Sequence, residues 1–220
     1  VRPSSNLPSL KRIISSFDNS RIQVIAGNLQ SRTDCKKVSK DVSVIYHLAA
    51  GRGEKSYPDA YMNSVITTRN LIEATLDCRS LQRFVNISSF TVYSNLKLRR
   101  REVLDETCQM ENQPELRGEA YCYAKVKQDE LVMEYCTKHN IPYVIVRPGA
   151  VYGPGNKGLT GRIGSATFGV FLHLGGSNRI PLTYVDNCAD AIVLAGIKKG
   201  VDGEIFNIVD DDLPTSREFL

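Results

Sequence analysis

Hydrophobic and polar positions along this chain fall into two alternating patterns, short apolar runs and longer stretches with helical spacing. "RIQVIAGNL" reads as a strand ending at Gly27. "DVSVIYHLAA" is a near-continuous apolar run, as expected for a strand covered on both faces. From about Asp59 to Cys78, Val65, Ile66, Leu71, Ile72 and Ala74 mark a helix. "LQRFVNISS" is the next strand. Glu119 to Lys138 reads as a helix, stopped by His139-Asn140 and Pro142. "PYVIVRPG" is another buried strand, "IPLTYVDN" leads into the helix "CADAIVLAGIKKG", and "EIFNIVD" supplies a last strand.

Strand and helix in alternation predict right-handed crossovers and a parallel sheet, an α/β fold. Ligands on such sheets bind beyond the carboxyl ends of the strands. The loops after Gly27, Ala50, Ser89 and Arg147 are therefore the places to look for chemistry. Residues 153–180 are Gly-rich and less periodic, and read as part of a smaller lobe over the sheet.

The helix beginning "EAYCYAKVKQDE" carries two Tyr–Lys pairs at one-turn spacing, Tyr121 with Lys125 and Tyr123 with Lys127. At about 100° per residue, Ala124, Lys125, Gln128, Leu131, Val132 and Tyr135 lie within about 80° of Tyr121. Tyr123, Lys127, Glu130 and Glu134 lie opposite, on a polar face that suits solvent. A lysine on the apolar face requires a reason. It can snorkel past its neighbours. It can also act on the phenol: an ammonium beside a tyrosine lowers a pKa of about 10 and readies it for proton transfer. Ser88 and Ser89 end a buried strand thirty-two residues before Tyr121, where Ser89 can share a substrate oxygen.

Composition adds exclusions. With 220 residues, 42% hydrophobic and 24% charged, the chain has the make-up of an ordinary soluble domain with a core of its own. No apolar stretch reaches the roughly 20 residues of a membrane span. The net charge of +4 does not point to nucleic acid. The densest basic run, "KLRRRE" from Lys97 to Glu102, reads as a solvated loop or as a rim for an anionic substrate. Cys35, Cys78, Cys108, Cys122, Cys136 and Cys188 form no C-x-x-C pair and have no histidine at zinc spacing. Free thiols in a reducing cytoplasm are expected, with no metal. His47, His139 and His173 fit no local catalytic signature and read as structural.

Two glycine motifs are set aside. "GPGNKG", Gly153 to Gly158, fits G-x-G-x-x-G, but Pro154 removes an amide and no clear helix opens afterwards. "GRGEKS", Gly51 to Ser56, lacks the spacing of a phosphate loop. The chain opens without Met and stops at "LPTSREFL", which reads as a helix just beginning, so a fragment cut at both ends is expected.

Taken in order, "YHLAAG", "MNSVITTRNLIEA", "FVNISSFTVY", "YCYAK", "VIVRPGAVYGPG" and "YVDNCADAIVLA" closely resemble the extended short-chain dehydrogenase/reductases of the NAD-dependent epimerase/dehydratase type, over nearly the whole chain. The resemblance implies a doubly wound parallel sheet of Rossmann type. Residues 1–152 would form the dinucleotide-binding core, and 153–220 part of a small C-terminal substrate lobe interleaved with returning core elements. The family opens with a strand, a G-x-x-G-x-x-G turn and a helix. This chain does not, so the first β-α unit is expected to be missing and the piece alone to bind cofactor poorly. By resemblance Ser89, Tyr121 and Lys125 are the catalytic trio, with Tyr121 the general acid/base. Lys125 would also hold the nicotinamide ribose, and Ser89 would position the reacting oxygen. Asn28 and Leu29 would lie beside the adenine, with Asn28 in place of the usual acid. Leu48, Ala49 and Ala50 would let the dinucleotide approach the backbone. Asn63 would lie near the nicotinamide end and Pro148 in its pocket. Arg2 leans the cofactor from NAD toward NADP.

The implied reaction is hydride transfer between a substrate carbon and the nicotinamide. Phe90 and Thr91 stand where the family's 4,6-dehydratases carry Asp-Glu, which argues against that activity. The leading expectation is a cytoplasmic nucleotide-sugar epimerase or reductase. Lys157, Arg162 and Arg179 are candidate donors to the diphosphate. The alternatives are a ketone/alcohol reductase of dihydroflavonol or 3β-hydroxysteroid type and a non-catalytic dinucleotide-binding regulator. A homodimer through the helices from Asp59 and Glu119 is a further expectation from the resemblance.

Overall fold

The computed structural model describes residues 1–5, 7–51, 56–94, 104–156, 164–167, 170–173 and 176–219. The chain begins with helix α1 (Pro8–Ile14) and continues through α2 (Arg32–Ser39) to strand β1 (Val44–His47). Helix α3 (Tyr57–Tyr61), a π-helical turn (Met62–Ile66) and α4 (Thr67–Thr75) follow without a break. Next come β2 (Arg83–Ile87), α5 (Ala120–Lys138), β3 (Tyr143–Pro148) and β4 (Ala150–Tyr152). The hairpin strands β5 (Gly164–Thr167) and β6 (Val170–His173) precede β7 (Leu182–Tyr184), α6 (Val185–Ile197) and β8 (Ile205–Ile208).

Four parallel strands form the central sheet in the order β1-β2-β3-β8. Alternation along each strand divides the core. Phe84 and Ile145 join Cys35, Leu71, Ile72, Val132 and Cys136 on the side of α2, α4 and α5. Val85, Val144 and Val146 join Ala195 and Val201 on the side of α6. Both faces are therefore covered, which explains the continuous apolar runs. Each fully buried Ile, Val or Phe contributes roughly 1.5–3 kcal/mol.

The same period of two sets the carboxyl ends apart. His47, Asn86 and Arg147 follow Ile45, Phe84 and Ile145 on the α5 side, and all three are buried. The sheet is thus apolar in its lower layer and polar where the strands end.

Two expectations are corrected. Residues 22–28 form no strand of the sheet. They bond instead to the first residue, with Val1 N donating to the Ile25 carbonyl at 2.9 Å and Gly27 N to the Val1 carbonyl at 2.9 Å. That is the pattern of a single parallel bridge, with no ladder to β1. The face of α5 opposite Tyr121 is not simply solvated. Tyr123 packs against the rings of Tyr57 at 5.5 Å and Tyr61 at 6.3 Å, because α3 lies across that face. Lys127 pairs with Glu130 at 2.9 Å at the edge of the same contact. Helix α5 ends as its sequence indicates, with Asn140 in the left-handed region at φ 52° and Pro142 beyond.

The last described residues make the reciprocal bonds of a capping box. Thr215 N and Oγ1 donate to Glu218 Oε2, and Glu218 N donates to Thr215 Oγ1. The basic run at 97–102, residues 52–55, Lys157 and Arg162 lie outside the described residues. Arg179 donates to the Leu213 carbonyl at 3.0 Å. Gly153 and Asn156 bridge each other in a turn that closes β4.

Where β3 passes into β4, Gly149 N donates to the Ile208 carbonyl and Ala150 N to the Pro181 carbonyl. A Cβ on Gly149 would fall onto the Pro181 carbonyl, which is backbone and cannot swing away. Gly149→Ala is expected to cost about 1–3 kcal/mol in urea denaturation, the usual penalty of overpacking.

Candidate functional site

The π-helical turn shapes one side of the site. Thr67 Oγ1 bonds the Asn63 and Ser64 carbonyls, and Thr68 Oγ1 bonds the Ser64 carbonyl at 2.6 Å. These hydroxyls occupy carbonyls that a widened turn pairs less regularly. Ser64 Oγ accepts from Gly51 N at 2.9 Å and so ties the helix to the end of the β1 loop.

A cleft of about 750 Å³ opens beside that loop. Asn28, Leu29, Leu48, Ala49, Ala50 and Asn63, all singled out by the sequence, line it. Arg2, Gly51, Asp34, Asp59 and Thr67 also contribute. Asn63 is aimed by its partners: its amide nitrogen donates to the Asp59 carbonyl and carboxylate, and its oxygen accepts from Gln30 at 3.3 Å. Asn28 Oδ1 caps Gln30 N, while Asn28 N donates to Asp34 Oδ2 at 2.8 Å. Asp34 thus brings a carboxylate to a position where Asn28 lacks one. The sequence carried a signal for it, since Asp34 lies in the first turn of α2, three residues after its cap Ser31.

Ser89, Tyr121, Lys125 and Pro148 are not walls of this cleft. They cluster at the ends of β2 and β3. Ser89 caps the 3-10 turn Phe90–Val92, and its oxygen accepts from Thr91 N at 3.3 Å. Pro148 closes β3 opposite Ile208. Burial pushes the Tyr121 phenol above its ordinary value of 10, while the Ser89 hydroxyl, donating toward the phenolate oxygen, pulls it back. The structure therefore brings Ser89 and Tyr121 together.

Lys125 lies one turn after Tyr121 on α5, and its ammonium donates to the Ile87 carbonyl at 2.7 Å and to Gln128 Oε1 at 2.9 Å. Lys125 is only 3% exposed, and burial pushes its pKa down to about 8 against the opposing pull of Asp129.

Behind these residues lies a polar network that the sequence reading missed. Asp129 accepts from Asn86 Nδ2 at 3.1 Å, from Ser88 Oγ at 2.8 Å and from Arg147 Nε at 3.1 Å. The Arg147 guanidinium lies 4.7 Å from the centre of the Tyr93 ring, and Tyr93 OH donates to Asn207 Oδ1. On the other side, Gln128 Nε2 donates to Thr68 Oγ1 at 2.7 Å, and His47 Nε2 lies 2.7 Å from the same oxygen. Thr68 spends its one proton on Ser64, so neutral His47 carries its proton on Nε2. Asp129 was within reach of the sequence: it sits about 80° from Tyr121 on the inward face, one turn after Lys125.

The volume of the cleft falls in the range of small-molecule sites. Gly51 lets the loop pack closely on the helix beside it, since a Cβ there would stand 3.1 Å from Asn63 Cβ and 3.2 Å from Ala60 Cα. Among the described residues no group of three His, Cys, Asp or Glu side chains could hold a metal, and no helix is long and apolar enough to cross a membrane.

Comparison with known proteins bears on this arrangement. The model of the NAD dependent epimerase/dehydratase family matches residues 3–209. The chain is 30% identical over 228 residues to the decarboxylating sterol-4-alpha-carboxylate 3-dehydrogenase of Candida albicans, a match that covers 96% of this chain and 61% of that protein. It is 26% identical over 179 residues to 3beta-hydroxysteroid-dehydrogenase/decarboxylase isoform 2 of Arabidopsis thaliana, covering 80% of this chain and 31% of that one. The chain thus spans less than two thirds of the length of both curated relatives. Among solved structures it is similar to UDP-glucuronic acid 4-epimerase from Bacillus cereus in complex with UDP-glucuronic acid and NAD. The TM-score is 0.76 at 25% identity, over 99% of this chain and 69% of that one.

Two stability measurements test the network. Asp129→Asn leaves the buried Arg147 guanidinium without its counter-charge and is expected to cost about 3–5 kcal/mol in denaturant unfolding. Burial, helped by the Lys125 charge, pushes His47 down from 6.5 to about 3. Between those values the unfolded chain binds a proton that the folded chain refuses, so stability falls as pH falls through that window. Relative to His47→Gln, the unmodified protein should lose up to about 1.4 kcal/mol more per pH unit there. Equal slopes would refute the neutral buried imidazole.

Proposed function

Because the chain belongs to the NAD-dependent epimerase/dehydratase family, we propose that it performs the proton-transfer half of a dehydrogenation at a secondary alcohol. Bound NAD(P) supplies the acceptor or donor of hydride. Asn28, Leu29, Leu48, Ala49, Ala50 and Asn63 hold it in the cleft, and Lys125 meets its nicotinamide ribose. The observation that carries this reading is the contact of Ser89 with Tyr121 beside a buried lysine at the strand ends.

Tyr121, raised above its ordinary pKa, is a protonated phenol at neutral pH. In that form it returns a proton to a carbonyl oxygen when the substrate is reduced. To take the proton from an alcohol it must leave a stabilised phenolate, and the Ser89 hydroxyl is the donor placed to stabilise it. Ser89 also holds the reacting oxygen. Phe90, Val92 and Tyr93, buried together with Cys122 and Val126, fix the turn that carries Ser89 against α5.

The substrate favoured first is a nucleotide sugar, as for the Bacillus cereus epimerase. A second reading, a hydroxysteroid or sterol carboxylate, is favoured by the names of the curated relatives. The two differ in cofactor accounting. An epimerase regenerates its cofactor within each turnover, whereas a dehydrogenase accumulates NAD(P)H in proportion to product.

Tyr121→Phe is expected to lower kcat by about 10²–10⁴, the usual contribution of a general acid/base. Cofactor binding, read by quenching of protein fluorescence, should change little. A variant that turns over substrate at the normal rate would exclude Tyr121 as the general acid/base.

A further inference from the structure

Lys125 is held by two acceptors, a backbone carbonyl and a neutral amide. The carboxylate one turn further along α5 is engaged elsewhere, since Asp129 accepts from Asn86, Ser88 and Arg147. Among the described residues no carboxylate pairs directly with the ammonium. Gln128 is therefore its one side-chain acceptor there, and Gln128 is fully buried.

The Gln128 amide cannot turn over. Its nitrogen donates to Thr68 Oγ1 at 2.7 Å, and that hydroxyl has given its only proton to the Ser64 carbonyl. His47 Nε2 supplies a second donor to the same oxygen. A flipped amide would set its carbonyl oxygen against an oxygen with no proton to offer, at the cost of an unpaired buried group. The chain of bonds thus has a fixed sense, from His47 and Gln128 into Thr68, and from Lys125 into Gln128. It begins on β1, one residue before the cleft wall at Leu48, and ends one helical turn from Tyr121.

We propose that Gln128 is a positioning residue for Lys125: its neutral amide oxygen, clamped by Thr68, anchors the ammonium and leaves one of its three donors for a ligand beside Tyr121. Its importance to turnover rests on the function proposed above, while the clamp itself rests on geometry alone. The charged and titratable groups around the ammonium are His47 on β1, Tyr121 and Asp129 on α5, and Arg147 on β3 behind Asp129. None of them changes when Gln128 is replaced.

Two substitutions of similar size pull in opposite directions. Gln128→Glu puts a carboxylate on the ammonium and should raise the Lys125 titration by on the order of one pH unit. Gln128→Met removes the acceptor and should lower it by a similar amount. The titration is read by NMR of isotope-labelled lysine, with Lys125→Met identifying the signal, and needs no substrate. The basic limb of the kcat/KM profile should move with it. If both variants leave the Lys125 titration in place, or shift it the same way, the proposal is overturned, because a residue that only fills space would do that. If Gln128→Glu does not fold by circular dichroism, the methionine variant decides: a downward shift supports the clamp and no shift sinks it. Opposed shifts in a protein that turns over neither sugar nor steroid would uphold the clamp and reject the enzymatic reading.

Discussion

Carrying a charge out of water costs several kcal/mol unless fixed partners replace the lost hydration. This protein carries Lys125, Asp129 and Arg147 into its interior together, at the carboxyl end of its sheet. Asp129 and Arg147 answer each other at 3.1 Å, and Ser88 and Asn86 fill the remaining lone pairs of the carboxylate. Lys125 has no such counter-ion in contact and lives on neutral oxygens, which is why burial lowers its pKa to about 8. The arrangement places a cation without a counter-ion in contact one helical turn from Tyr121.

The sheet makes this affordable through its own periodicity. One layer below the strand ends, Ile45, Phe84 and Ile145 pack with the helices on the α5 side. One step of two further along, His47, Asn86 and Arg147 turn to the same side. Helix α5 meets the apolar layer with Val132 and Cys136 and the polar layer with Lys125, Gln128 and Asp129. Apolar packing thus anchors the helix, and the register of that packing brings the polar groups within hydrogen-bonding distance. The π-helical turn does the corresponding work across the gap, setting Thr68 on Gln128, Ser64 on Gly51 N and Asn63 on the cleft. Rigid elements hold every one of these groups, as pre-organised chemistry requires.

Much of this was legible in the chain. The four strands of the sheet fall inside apolar runs, and the helix bearing Tyr121 ends at the predicted residues. The cleft residues from Asn28 to Asn63 were reached through motif order. The partnership of Gln128 with Lys125 was not, because helical spacing places both on one face without saying which atoms meet. Tyr123 was misread for a related reason: a helix wheel shows a polar face but not the second helix that covers it.

The sequence by itself determined the parallel α/β architecture and the inward direction of Tyr121 and Lys125, because the spacing of apolar residues dictates which faces must leave water. Only the tertiary structure decided what the buried groups do to each other. Desolvation, hydrogen-bond sense and charge compensation depend on distances between β1, α4, α5 and β3, and residues such as His47, Thr68 and Gln128, up to 81 positions apart in the numbering, acquire a joint role only once those elements are packed.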